Sequence, residues 1–248
     1  MSEILQHVFL PTTELGLLAI FCAIIIGFPI GVISGLSSNS RFIHILRLLC
    51  WLLYASPLVW IAILIIRLST VDWHFTQHID YSSTIGNSSL ITILSTNNDH
   101  KLPLLVNHIT PLLLPVIILT IQPCITTIQI VSERVKLIAN QNYIKVAYIK
   151  ENASWKVLFR HLLPNAIPKI IPQLTANITT LLFSTMVIEI LLNRSGMGTW
   201  LLYGFYQHNF SILALTLLGC GIIISLLMLL SEILVVIIYP TQSRPLHE

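Results

Sequence analysis

The sequence predicts an all-α, polytopic integral membrane protein with about five transmembrane helices, on three observations. Charged residues make up 9% of the chain and hydrophobic ones 55%, against roughly 25% charged in an ordinary soluble domain. Five apolar runs each reach the ~20 residues needed to cross the hydrocarbon of a bilayer. Between the third and fourth of these lies a segment, Ser132 to Pro172, that holds seven of the thirteen lysines and arginines. The formal net charge of +3 is small and localised there. It therefore reports orientation rather than nucleic-acid binding.

Taken in order, residues 1–11 form a short amphipathic lead with no basic n-region, unlike a signal peptide. The first span is expected over Thr12–Ile33, followed by a tight polar turn, Ser34–Arg41, in which Gly35 is available for a strained backbone position. The second, Phe42–Ile66, contains Ser56-Pro57, which should kink it. A polar loop occupies residues 70–103. The third span is expected over Asn107–Val131, the fourth over Ile167–Leu192, and the last over Ile212–Ile238. Asn193–Asn209 reads as a short glycine-containing loop. The cysteines Cys22, Cys50, Cys124 and Cys220 lie singly in apolar runs, as small buried hydrophobes do.

The basic segment reads as two short helices with a break between them. Asn142 can cap the first, and Tyr143, Ala147 and Lys150 lie along one face. Ser154 can cap the second, where Trp155, Leu158, Phe159 and Leu162 recur at i, i+3, i+4 and i+7. The Lys/Arg bias of short loops puts this elbow in the cytoplasm. Residues 70–103 and Asn193–Asn209 are then outside, the tail with Arg244 inside, and the N-terminus outside.

The elbow resembles the cytoplasmic coupling loop of ABC-transporter permeases, in the dipeptide and oligopeptide branch and nearest its Sap-type peptide-resistance members. The likeness rests on Tyr143-Ile144-Lys145, Ala147, His161 through Asn165-Ala166, and the Pro168/Pro172 spacing. Glu189 followed by Gly196-Met197-Gly198 matches the branch's E…PGxG element. Glu151 stands where the family has a turn glycine, and Ser195 where it has proline; Asn152 is a residue that tolerates φ > 0 beside Glu151. The resemblance implies a single permease domain over residues 1–248, with the coupling loop at 132–166. It further implies a second homologous permease, two ATP-binding subunits, a periplasmic substrate-binding protein, and residence in a bacterial inner membrane. Tyr143, Ala147, Lys150, Glu151, Phe159 and Leu162 would meet the ATPase. Members of that branch begin with one more helix, so the chain reads as starting after it.

Two polar stripes run along the spans: Gln122, Thr126, Gln129 and Glu133 on the third, and Gln173, Asn177, Thr180 and Ser184 on the fourth. Each occupies one helical face. Gln122, Gln129, Gln173 and Asn177 are candidates for the wall of a translocation path; interhelical hydrogen bonding accounts for the same pattern equally well. Glu14, Arg67 and Glu189 are expected near the outer face and Arg47 near the inner one, as snorkelling or interfacially paired groups. Glu232 lies deeper. His74 and His78, with Asp80 nearby, have helix spacing for a metal, although a solvated loop is the simpler reading. No P-loop, nucleophile elbow, HExxH or cysteine-rich cluster occurs. The chain is thus expected to be no enzyme, to need no cofactor, and to take its energy from separate ATPase subunits. Alternatives are the same architecture moving nickel or a polyamine such as putrescine, or a secondary transporter using Glu14, Glu189 and Glu232.

Overall fold

The computed structural model describes residues 8–37, 40–71, 101–151 and 154–238. Among them every regular element is helical: α1 (Leu10–Leu36), α2 (Arg41–Ala55), α3 (Leu58–Val71), α4 (Lys101–Ala139), α5 (Asn142–Lys150), α6 (Ser154–Val157), a π-turn (Leu158–Leu162), α7 (Leu163–Leu191), α8 (Met197–Tyr206) and α9 (Phe210–Ile238). The N-terminal lead before Val8, nearly all of the 70–103 loop with His74, His78 and Asp80, Asn152, and the tail with Arg244 lie outside the described residues. Three helices, α1, α4 and α9, are each long and apolar enough to span a membrane; counting the bent pair α2–α3 and the bent run from Trp155 to Leu191 as single spans makes five. Phe21, Leu48, Leu218 and Ile222 point outward, as side chains do where lipid tails, and not water, surround the helices.

Three expectations are corrected. Ser34–Arg41 is not one turn, because α1 continues to Leu36 and carries Gly35 within it. The second span is not merely kinked: the chain bends by 102° between α2 and α3. Pro57 removes a backbone donor and disfavours a helical Ser56, and the Trp60 and Ile61 N–H groups restart the helix on the Pro57 carbonyl. The expected loop Asn193–Asn209 contains the ten-residue helix α8. Asn193 and His208 have φ near 50°, the left-handed conformation that closes a helix. The Arg194 N–H returns to the Glu189 carbonyl and the Asn209 N–H to that of Gly204. Asn209 then accepts the Ser211 and Ile212 N–H groups through Oδ1 at the start of α9, a side-chain N-cap.

The chain divides into two compact units, one of Met1–Phe21, Ala55–Gln122 and Thr180–Ile223, the other of Cys22–Tyr54, Pro123–Thr179 and Ile224–Glu248. The first is built on Leu15, Ala19, Ala62, Leu112, Ile118, Leu119 and Ile188. Beside this core the Glu189 carboxylate is fully buried rather than snorkelling. The Thr12 hydroxyl donates to its Oε1 at 2.6 Å and the Gly198 N–H to its Oε2 at 2.9 Å; Thr12 Oγ1 in turn accepts the Met197 N–H at 2.9 Å. Two orphan N–H groups of the first turn of α8 are thereby satisfied, with the carboxyl oxygens placed at the positive end of that helix. Gly196 has an extended backbone with φ 172°. It is glycine because a Cβ there would overlap the Glu189 carboxylate, as one on Gly198 would overlap the Met186 carbonyl. Arg194 is also fully buried; burial lowers its pKa, opposed by the Glu189 and Glu14 carboxylates.

In the second unit α1 meets α4 along Gly27, Gly31 and Gly35. A Cβ would fall 2.9 Å from the Cys124 carbonyl at Gly27, 2.7 Å from Val131 Cβ at Gly31, and 2.8 Å from the Ser132 carbonyl at Gly35. Small residues every fourth position let two membrane helices approach backbone to backbone. Gly31→Ala should therefore destabilise the permease by about 1–3 kcal/mol, as overpacking does. Gly221→Ala, where nothing lies within 4 Å, should leave thermal unfolding in detergent unchanged or slightly improved. Glu189→Ala should lower the unfolding temperature more than Glu189→Gln, because Ala loses both buried hydrogen bonds, contributing about 1 kcal/mol each, whereas Gln keeps an acceptor and the side-chain volume. Limited proteolysis between Asn193 and Asn209 should rise in parallel.

Candidate functional site: the basic elbow

The elbow is seated by a core that its own sequence shares with the helices it joins. Ile144 of α5, Val157 of α6, and Leu162, Leu163, Ala166 and Ile170 pack with Val131, Val135 and Ile138 of α4 and Val32 of α1. At its start Gln141, with φ −73° and ψ 146°, occupies the N-cap position without a side-chain bond, and Asn142 is already helical. The expected Asn142 cap is therefore displaced by one residue. The second arm begins at Ser154 itself.

The expected apolar stripe is split. Trp155 and Phe159 are 63% and 64% exposed, whereas Leu162 is fully buried and Leu158 is half-buried against the core. The cause is the π-turn over Leu158–Leu162, in which the Leu163 N–H bonds to the Leu158 carbonyl. One residue more in that turn rotates the face, and 3.6-residue spacing no longer tracks it. Leu162 is thus a core residue and not part of an outer surface. Ala147 is also half-buried, packed against the same core. The face that does point out carries Tyr143, Val146, Ile149 (84% exposed), Trp155 and Phe159. Around it stand exposed Lys145, Lys150, Lys156 and Arg160, with Lys156 Nζ 5.8 Å from the centre of the Trp155 ring.

Glu151 causes no strain in the turn. Its φ of −101° and ψ of 124° are extended, a conformation any residue adopts. Its Oε1 lies 3.1 Å from His161 Nε2, so this side chain ties the break between the two arms to the π-turn. The Asn165 side chain then donates to the His161 carbonyl at 2.7 Å.

The polar stripes face each other in part. Asn177 Nδ2 donates to Thr126 Oγ1 at 3.1 Å, and Arg134 Nε donates to Gln173 Oε1 at 3.4 Å. Gln122 and Gln129 are half-buried along α4, and Gln129 Nε2 is buried with no hydrogen-bond partner among the described residues. Glu232 is exposed on α9. What the reading from residues missed was the Gly27/Gly31/Gly35 spacing, visible as i, i+4, i+8, and the pairing of Glu189 with Thr12, which are 177 positions apart and leave no local trace.

Residues 27–244 match the family described as binding-protein-dependent transport system inner membrane component. The chain is 26% identical over 250 residues to a peptide transport system permease protein, SapB, of Haemophilus influenzae, covering 98% of this chain and 78% of that one. An Escherichia coli K12 relative of equal identity and coverage is named a putrescine export system permease protein, SapB. The dipeptide transport system permease protein DppB of the same strain is 24% identical over 240 residues, 93% of this chain and 69% of that one. Among solved structures, a chain of the inward-facing MetNI methionine ABC transporter superposes with TM-score 0.69 at 14% identity, over 92% of both chains. That likeness shows the fold. Spanning helices, a buried E…GxG staple and a basic elbow are thus joined in one chain, which belongs to the family of inner-membrane components of binding-protein-dependent transport systems.

Proposed function

We propose that the chain is a permease subunit of an ATP-driven ABC transporter for peptides, and that its elbow is where ATPase subunits deliver mechanical work. One observation carries this reading: an outward apolar row on a positively charged elbow whose inner side is fixed to α4 and α7. An exposed patch of that kind marks an interaction site, and a short amphipathic helix suits a groove on a partner. By likeness to peptide and dipeptide permeases, the partners are a second homologous permease, two ATP-binding subunits and a periplasmic binding protein. The elbow and C-terminus face the cytoplasm and the N-terminus the periplasm, by the distribution of basic residues. A secondary transporter running on Glu14, Glu189 and Glu232 has less support. Glu189 has both carboxylate oxygens engaged in the α8 staple.

Tyr143, Lys150 and Phe159 are assigned to the ATPase contact, with Ile149 and Trp155 added by their exposure. Glu151 positions the arm through His161. Ala147 lies at the edge of that contact, and Leu162 supports it from behind. Ile149→Asp and Phe159→Asp should each abolish co-purification of the ATPase and permease-stimulated ATP hydrolysis, with membrane insertion intact. Leu162→Ala should instead destabilise the permease itself by about 2–5 kcal/mol. If the two Asp variants retain full ATPase binding, the elbow is not the coupling site.

Gln122 along α4 is assigned to the translocation path, to be completed by the second permease, whereas Gln129 lines a separate cleft with Arg47 and Lys136. Gln173 and Asn177 support it by fixing α7 to α4. Asn177→Leu should weaken thermal stability by roughly 0.6 kcal/mol and leave peptide uptake per folded transporter near normal. Gln122→Leu should slow uptake with unfolding unchanged. The reverse pattern would exchange the two assignments.

A further inference from the structure

We propose that a cleft walled by α1, α2 and α4 binds the headgroup of an ethanolamine phospholipid, its phosphate between Arg47 and Lys136 and its ammonium at Glu133. The cleft has a volume of about 240 Å³ and is lined by these three residues together with Trp51, Gln129 and Ser132. It lies near the ends of the helices that wall it. The α1 residue that lines it, Ser34, is two positions from the end of α1 at Leu36, and Lys136 is three positions from the end of α4 at Ala139. Headgroup depth is where such helix ends meet a bilayer, and basic pockets between membrane helices there suit lipid phosphates.

The site is built rather than incidental. Arg47 Nη2 donates to the Ser34 carbonyl at 3.1 Å and lies 3.5 Å from Ser132 Oγ, which fixes the guanidinium at the cleft. A guanidinium carries five donors in a rigid fork, so it can hold a phosphate while keeping these bonds. The Gln129 amide nitrogen is buried at the cleft without a partner among the described residues. A buried orphan donor of this kind calls for an acceptor, and a phosphate oxygen supplies one. The lining charges are two positive and one negative, the complement of a phosphate carrying an ammonium. A phosphatidylglycerol headgroup offers Glu133 only neutral hydroxyls in place of an ammonium. Trp51 is 64% exposed at the mouth, on a helix that also presents Leu48 and Leu52 outward; this apolar surface continues from the cleft as the acyl chains of a lipid would, and a free phosphate would not use it.

Native mass spectrometry of the full chain in its assembled transporter, reconstituted in mixed phosphatidylethanolamine and phosphatidylglycerol, tests the proposal. The wild type should retain phosphatidylethanolamine after detergent exchange. Lys136→Gln, at an exposed position, should reduce retention about tenfold, equivalent to about 1.4 kcal/mol. Arg47→Lys should reduce it less than Arg47→Gln. Glu133→Gln should shift the retained species toward phosphatidylglycerol. Lys169→Gln, which removes an equal charge elsewhere on an exposed site, should change nothing. Equal loss with Lys169→Gln would reduce the effect to net charge and overturn the proposal. Displacement of the lipid by excess inorganic phosphate, or by a transported peptide, would overturn the lipid assignment in favour of that ligand.

Discussion

Backbone contact between α1 and α4 is the constraint on which the elbow-bearing unit rests. Gly27, Gly31 and Gly35 leave α1 without side chains along one edge, and the Cys124, Ile128 and Ser132 carbonyls of α4 come up against that edge. In lipid there is no hydrophobic drive to bring helices together, so such close packing must supply the association. Val131 and Val135 touch the glycine edge on one side and belong to the core that receives Ile144, Val157 and Leu162 on the other. The elbow is therefore seated on a helix pair whose separation is fixed by three absent side chains.

That seating gives the elbow its mechanical character. Its two arms are joined by Glu151 and His161, and its buried side is continuous with α4 and α7. Under the proposed coupling role, a load applied to Ile149 or Phe159 would pass into both helices at once, because neither arm has an independent core to yield. Packed interfaces of this kind move as rigid bodies between discrete arrangements. The bonds Asn177–Thr126 and Arg134–Gln173 lie between the same two helices and would keep them moving together.

How much of this was legible in the sequence varied with the range of the interaction. Apolar runs and the cluster of lysines and arginines are local, and they gave the helices, the spans and the elbow. Ser56-Pro57 marked a break, though not its angle, since proline dictates a missing bond and not the direction of the next helix. Gly35 was read as a turn residue because polar residues follow it; its partner, the Ser132 carbonyl, is nearly a hundred positions away. The helix α8 was hidden by its shortness between two polar caps. Glu189 looked interfacial because nothing near it in the chain reveals Thr12. Leu162 was misplaced because a single wide turn breaks the helical period without leaving any characteristic residue.

That wide turn also alters what length means at this point in the chain. In an ordinary helix each residue advances the side chains by about 100°, so a one-residue insertion normally throws everything beyond it out of phase. Here the extra residue has been absorbed into Leu158–Leu162, and the angular offset between Trp155 and the buried row Leu163, Ala166 and Ile170 is set by it. Relatives that differ by one position here would present a different azimuth to the same partner, making chain length at this turn a coordinate of recognition in its own right.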